Sequence, residues 1–176
     1  MTAPTPSRDR DARATLSDPL VQELLAARLV GVLATHRPDG TIDAAPMWYA
    51  LHDHAVVLAT GSRSRKVRNL EADSRATLVL HDSRPGYEVC GASIAGTVEI
   101  VRAAAARPLV ELVHSRYLVD QSADDESVRA FLDSDDVALV LTPSASVTWD
   151  ERDSKAAEVV RARGWALPLV STDPRT

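Results

Sequence analysis

The chain has 176 residues, enough for one domain with a real core, and its 45% hydrophobic and 26% charged content is that of a globular protein. A formal net charge of −5 and a pI near 5.5 argue against general nucleic-acid binding, which needs a basic surface. Cys90 is the single cysteine, which excludes an intrachain disulfide and an all-cysteine metal site and makes a reducing cytoplasm the expected compartment; no apolar run approaches the ~20 residues of a bilayer span, so a membrane is not an expected partner.

The N-terminal stretch is polar and has no signal-peptide core, so residues 1 to about 15 are expected to be a disordered tail. Asp18-Pro19 reads as a helix start, with Asp as N-cap and Pro in the first turn. Leu20, Val21, Leu24 and Leu25 then recur at helical spacing until about Arg28. Val30–Thr35 is a β-type run, and His36–Gly40, with Pro38 and Asp39-Gly40, is a hairpin turn. The return strand runs from Thr41 to Leu51, and Pro46 inside it marks a sheet edge or a bulge. His52-Asp53-His54 reads as a polar turn rather than a metal site, followed by a third strand, Ala55–Thr60. A basic helix is expected from about Ser64 to Ala72, and a fourth strand from Arg75 to His81.

Beyond the loop Asp82–Gly86, Tyr87–Val101 makes a long strand, whose small residues Gly91, Ala92, Ser93, Ala95 and Gly96 suggest a bend or a close backbone approach. Helices are expected over Arg102 to about Val119 and about Asp125 to Asp133. Val137–Thr142 and Ala145–Trp149 read as two strands joined at Pro143-Ser144, and a last helix runs from Ser154 to Arg163 with Gly164 as its C-cap. The expected organisation is one domain over 16–165 and a C-terminal tail over 166–176. Strands in short-loop pairs favour an antiparallel barrel over a doubly wound sheet.

No self-sufficient catalytic motif is present: there is no Gly-x-Ser-x-Gly, no Walker loop, no His-Glu-x-x-His and no Gly-x-Gly-x-x-Gly. No acid–base pair is defensible from sequence, and no metal site is expected. What stands out is Ser64, Arg65 and Lys66 at the start of a helix that follows a strand ending at Thr60. A helix N-terminus offers unpaired N–H groups and the positive end of its dipole, so a hydroxyl and two cations placed there suit a phosphate. Only two of the 20 basic residues are lysines, Lys66 and Lys155, and a solvated basic helix face is the plainer alternative. Pro46, Met47 and Trp48 lie on a neighbouring strand, where backbone groups of a bulged edge would meet a planar ring. Trp48 is readable equally as core and as a ring-facing wall.

The ordered set Leu33-Ala-Thr35, Asp39-Gly40, Pro46-Met-Trp48, Thr60, Ser64–Leu70 and Gly96-Thr-Val-Glu99 resembles the pyridoxamine 5'-phosphate oxidase-like family over about residues 20 to 150. The resemblance implies a mainly β fold with flanking helices, a six-stranded antiparallel split β-barrel, and a homodimer with cofactor sites at the subunit interface. It implies that Thr60, Ser64, Arg65 and Lys66 bind a cofactor phosphate and that the Pro46, Met47 and Trp48 strand meets the ring system. The implied cofactor is the deazaflavin coenzyme F-420 or FMN; Lys66-Val-Arg-Asn-Leu70 is closer to the deazaflavin-using branch. The substrate-binding Arg/His pattern of true pyridoxamine phosphate oxidases is not seen near the C-terminus, which puts vitamin B6 synthesis in doubt. The implied activity is hydride transfer to a small organic substrate. The alternative is an FMN- or haem-binding carrier or sensor module without turnover.

Overall fold

In the computed structural model of the protein the described residues are 8–84, 88–119, 125–132 and 134–165. Asp18 does what its sequence context predicts: its Oδ1 accepts from the N–H groups of Leu20 and Val21 and starts the helix α2 (Pro19–Ala26), which turns Val21, Leu24 and Leu25 into the core. The strands are β1 (Gly31–His36), β2 (Ile42–Met47), β3 (Tyr49–His52), β4 (Ala55–Gly61), β5 (Arg75–Arg84), β6 (Glu88–Val101) and β7 (Asp136–Asp150). They form one antiparallel sheet of seven strands in the order β2-β1-β5-β6-β7-β4-β3.

This order makes the sheet curl. β2 and β3 are separated in sequence only by Trp48, yet they form opposite edges of the sheet. The sheet must therefore roll until its two edges meet at that residue. The result is the expected split barrel, with seven strands where six were expected. The Thr41–Leu51 run breaks at Trp48 into two strands. Conversely, the two strands expected around Pro143-Ser144 are one. A β-bulge absorbs Ser144: Ala95 faces Ala145 and Gly96 faces Pro143, so no turn is needed.

The barrel interior holds Leu33, Tyr49, Leu58, Leu78, Leu80, Ile94, Leu139 and Leu141, all essentially inaccessible, with α2 and α3 (Arg65–Ala72) packed against this cluster through Val21, Leu24, Val67 and Leu70. A second cluster, built on Val110 and Val113, seats α4 (Arg107–Tyr117) on Ala50, Val57 and Ala138. A short 3₁₀ turn, Ala103–Ala105, leads into α4; α5 (Glu126–Leu132) and α6 (Lys155–Arg163) follow. Ser154 caps α6 through Ala157 N–H, and Gly164 ends it in the left-handed region at φ +62°, as expected.

One segment departs from its expectation. Residues 1 to about 15 were expected to form a tail, but α1 (Arg8–Leu16) is helical, lies against β7 and buries Ala12, Thr15 and Leu16. Charged residues dominate Arg8–Arg13, and of the buried positions Ala12 and Thr15 are small or polar, so composition hid the helix. The first seven residues, the expected tail over 166–176, and Pro85, Gly86 and Tyr87 lie outside the described residues, while Asp82, Ser83 and Arg84, expected in a loop, extend β5 by pairing with β6.

The small residues of β6 mark close approaches. A Cβ at Gly91 would lie 2.1 Å from the Trp149 ring, and one at Gly96 would lie 2.2 Å from the carbonyl oxygen of Thr142. Gly96 sits at the bulge, where the obstacle is backbone and cannot rotate away. Gly96→Ala is expected to destabilise the fold by about 2 kcal/mol, near the middle of the overpacking range. Urea unfolding of the two proteins checks this.

Candidate functional site

The chain leaves β4 at Thr60 and Gly61, turns through Ser62 and Arg63, and enters α3. Ser62 ties the turn to the strand that opens beside it: its N–H donates to the carbonyl of Asp135 at 2.8 Å and its hydroxyl donates to the Asp135 carboxylate. Ser64 is the N-cap of α3 in extended conformation, but its side chain makes no capping bond. Its Oγ is buried and without a partner among the described residues. A buried hydroxyl left unpaired costs about 1–3 kcal/mol. A phosphate, rich in acceptor oxygens, would satisfy it at a helix start.

Lys66 is half-buried, and its Nζ donates to Thr60 Oγ1 across a long 3.4 Å. The helix that carries it is positioned by Asn69, a buried residue whose Nδ2 donates to Oγ1 of the fully buried Thr35 in β1 at 3.0 Å. Arg65 is exposed and turns toward β2, with its guanidinium 3.7 Å from the Asp43 carboxylate. The hydroxyl and two cations expected together are thus close in sequence but differently engaged.

Thr60 and Lys66 line a cleft of about 460 Å³ with Pro46, Met47 and Trp48 from the β2–β3 junction. Five of the seven sequence-derived site residues therefore meet in one cleft of the size small-molecule sites use. Ser64 and Arg65 adjoin it without lining it. The rest of the wall is Val30, Ala59, Gly61, Val113, His114 and Asp136.

Trp48 is both packed and part of the wall. Its indole stacks on Tyr117 of α4, with centroids 4.9 Å apart and planes within 2°, and meets His114 edge-on at 6.3 Å. The Tyr117 hydroxyl donates to Leu29 O at 2.6 Å and accepts from Tyr49 N–H at 3.4 Å, so the backbone freed by the strand break has a partner. Tyr49 is fully buried, and its hydroxyl bridges to the carbonyls of Leu24 and Ala27 at 2.8 and 2.9 Å. Burial, the largest cause, pushes its pKa up to about 12, so it remains a neutral donor. Arg116 closes the C-terminal end of α2 by donating to the carbonyls of Leu25, Ala26 and Ala27 at 2.6 to 2.9 Å. The cleft wall is thus braced from behind by α4 and α2.

Sequence reading missed His114 and Asp136. His114 is buried and Asp136 half-buried, with side chains 6% and 10% exposed, and His114 Nε2 lies 3.7 Å from Asp136 Oδ2. Burial holds the imidazole below the ordinary histidine range, while Asp136 works in the opposite direction. One signal was available. His114 stands four residues after Val110 on the apolar face of α4, where a polar side chain is out of place. Asp136 had none, because the β4–β7 pairing that brings it opposite Gly61 joins distant parts of the chain. A second cleft, about 600 Å³, lies among α4, α5 and the start of β7 and shares His114 and Asp136 with the first. It is larger but holds neither Lys66 nor Thr60, so the residues that suit an anion line the smaller one.

Among the described residues no helix is long and apolar enough to cross a membrane, and no cluster of three His, Cys, Asp or Glu side chains is arranged for a metal. The chain matches no curated protein. Among solved structures it is similar to a conserved hypothetical protein from Mycobacterium tuberculosis, at 28% identity over 77% of this chain and 86% of the other, with a TM-score of 0.65. It is also similar to an F-420 reductase, at 28% identity over 72% of this chain and 94% of the other, with a TM-score of 0.55. A haem storage protein from Vibrio cholerae, at 13% identity over 76% of this chain and 93% of the other, shares the fold with a TM-score of 0.59. Residues 17–150, most of the chain and the whole of the barrel, match the family described as pyridoxamine 5'-phosphate oxidase, and it is to this family that the chain belongs.

Proposed function

We propose that this protein is an oxidoreductase that binds a flavin-type cofactor, a deazaflavin of the F-420 type or FMN, in the cleft at the β2–β3 junction and passes a hydride to a small organic substrate. The observation that carries the reading is the buried, unpartnered Ser64 hydroxyl next to a lysine that shares a cleft with Thr60. A phosphate at this helix start takes a hydrogen bond from Ser64 and charge from Lys66 and Arg65. The backbone of the Pro46–Met47 strand meets the ring, and Trp48, pinned by Tyr117, fixes the wall beside it. The similarity to an F-420 reductase across nearly all of that protein favours the deazaflavin. Once bound, the cofactor supplies the hydride chemistry, while the chain orients it and keeps water out.

The haem alternative has less support. Among the described residues the histidine in the cleft wall is His114, and it is buried with Nε2 3.7 Å from Asp136 Oδ2, a poor placement for an iron ligand.

The reading includes a second copy of the chain. The outer sheet face presents two uncharged rows: Pro46, Val32, Val79, Ser93 and Val147 in register, and Ala44, Ala34, Thr77, Ala95 and Ala145 beside them. Val32 is 40% exposed and Val147 69%, and the patch runs into the cleft through Pro46. A contiguous apolar face of this kind marks an interface. A second copy seated on it would complete the cofactor cleft.

Three outcomes are expected. Lys66→Ala weakens cofactor binding more than ~10-fold, about 1.4 kcal/mol, in a fluorescence titration; unchanged affinity removes the phosphate assignment. Ser64→Ala also weakens binding but leaves thermal stability equal or slightly higher, because it deletes an unsatisfied buried hydroxyl. A loss of stability would mean that the hydroxyl is structural. Val32→Glu yields a folded monomer with weakened cofactor binding, read by sedimentation and the same titration; an undisturbed dimer would place the interface elsewhere.

A further inference from the structure

The cleft that gathers Lys66 and Thr60 also contains a carboxylate. Asp136 opens β7 opposite Gly61, and its neighbour Val137 faces Thr60, so the carboxyl lies one pairing step from the phosphate end of the cleft. Its side chain is 10% exposed. An acid placed there repels the anion that Lys66 attracts, and shielding by water is weak at that burial. His114 is near enough to cancel the charge, at 3.7 Å, but only as imidazolium. Burial keeps it neutral near pH 7 in the free protein, against the pull of Asp136.

The other charged groups in the two clefts do not replace it. Lys66 of α3 is directed at Thr60. Arg107 and Glu111, on the same helix as His114, pair with each other at 2.9 Å and are exposed. Arg129 of α5 and Asp135 line the neighbouring cleft, and Asp135 accepts from Ser62. Trp48, edge-on to the imidazole, brings no charge.

Resting on the flavin-type reading above, we propose that His114, held by Asp136, is the proton-accepting member of this cofactor site, becoming imidazolium as the anionic ligand enters and so offsetting the half-buried carboxylate. Binding then raises the pKa of the imidazole. A group whose pKa rises on binding makes affinity increase as pH falls through the bound-state value toward the free-state one.

The test titrates FMN and the F-420 coenzyme separately into the full chain between pH 6 and 8, following ligand fluorescence. Calorimetry in two buffers of different ionisation enthalpy counts protons exchanged. Wild-type protein is expected to take up protons and to bind more tightly by up to about tenfold per pH unit as pH falls. The FMN phosphate favours its dianion beside Lys66 and releases protons, so with FMN uptake cannot come from the ligand, and the proton count is read from FMN. His114→Gln, which keeps an N–H donor, is expected to lose the uptake and flatten the profile. Asp136→Asn is expected to lose the uptake and to bind more tightly than wild type at pH 8, a gain that a merely damaged fold does not give. Binding with the same proton count in wild type and His114→Gln overturns this inference and leaves the flavin reading intact. Absence of binding by either ligand overturns both.

Discussion

One covalent constraint governs this fold: a single residue, Trp48, joins the two edges of a seven-stranded sheet. In most sheets consecutive strands are neighbours. Here β2 and β3 are consecutive and lie at opposite ends of the strand order. No flat sheet satisfies that connection, so curvature is imposed by chain connectivity and does not depend on pairing energy between the edges. The same constraint makes the cleft. Where two edges meet without pairing, their side chains part, and the space between them is walled by Pro46 and Met47 from one edge, Trp48 at the joint, and Ala59 and Thr60 from β4. Closure and site have one origin.

An open seam needs bracing, and the bracing is polar. The Tyr49 N–H freed at the break reaches the Tyr117 hydroxyl, which itself donates to Leu29 O. Asn69 reaches through the core to Thr35 and sets the pitch of α3 against β1. Each is a buried or half-buried hydrogen bond that would be costly to leave half-made. Together they fix the two walls of the cleft relative to each other: α4 behind Trp48, and α3 with Lys66 opposite. The large apolar cluster supplies stability, while these few bonds supply position.

Much of this was legible in the sequence. The Asp18-Pro19 cap, the Gly164 stop, the hairpin at Asp39-Gly40 and the close approaches at Gly91 and Gly96 are local signals, each read from a few adjacent residues. Five of the seven proposed site residues converge because the motif order already implied one sheet. What failed was non-local or masked by composition. Alternation alone does not show that Pro143-Ser144 is absorbed by a bulge rather than spent on a turn, because the answer lies in the partner strand β6. The helix Arg8–Leu16 reads as tail because charged residues dominate its first half and two of its buried residues, Ala12 and Thr15, are small or polar. The pair His114–Asp136 arises from β4 meeting β7 and α4 crossing above them, and neither residue carries a motif.

The site's polar groups fall into two kinds, and the difference bears on function. Asn69, Thr35, Tyr49 and Tyr117 are satisfied within the chain, so their burial is neutral or favourable to folding. Ser64 Oγ is buried and unpaired among the described residues, and the half-buried Asp136 faces a histidine whose pKa burial lowers. The unpaired hydroxyl is unfavourable as it stands and sits at the start of α3, and Asp136 faces Gly61 in the turn that leads there. A fold shaped only by stability would exchange Ser64 for a residue that caps α3 and Asp136 for an apolar one. Their placement makes sense if the missing partner is an anion. On the proposed reading, a phosphate at this helix start would satisfy the hydroxyl, and its charge would draw a proton onto the imidazole. Binding at this place would then return free energy that folding leaves unrecovered at Ser64, and by linkage a ligand so bound would stabilise the barrel seam.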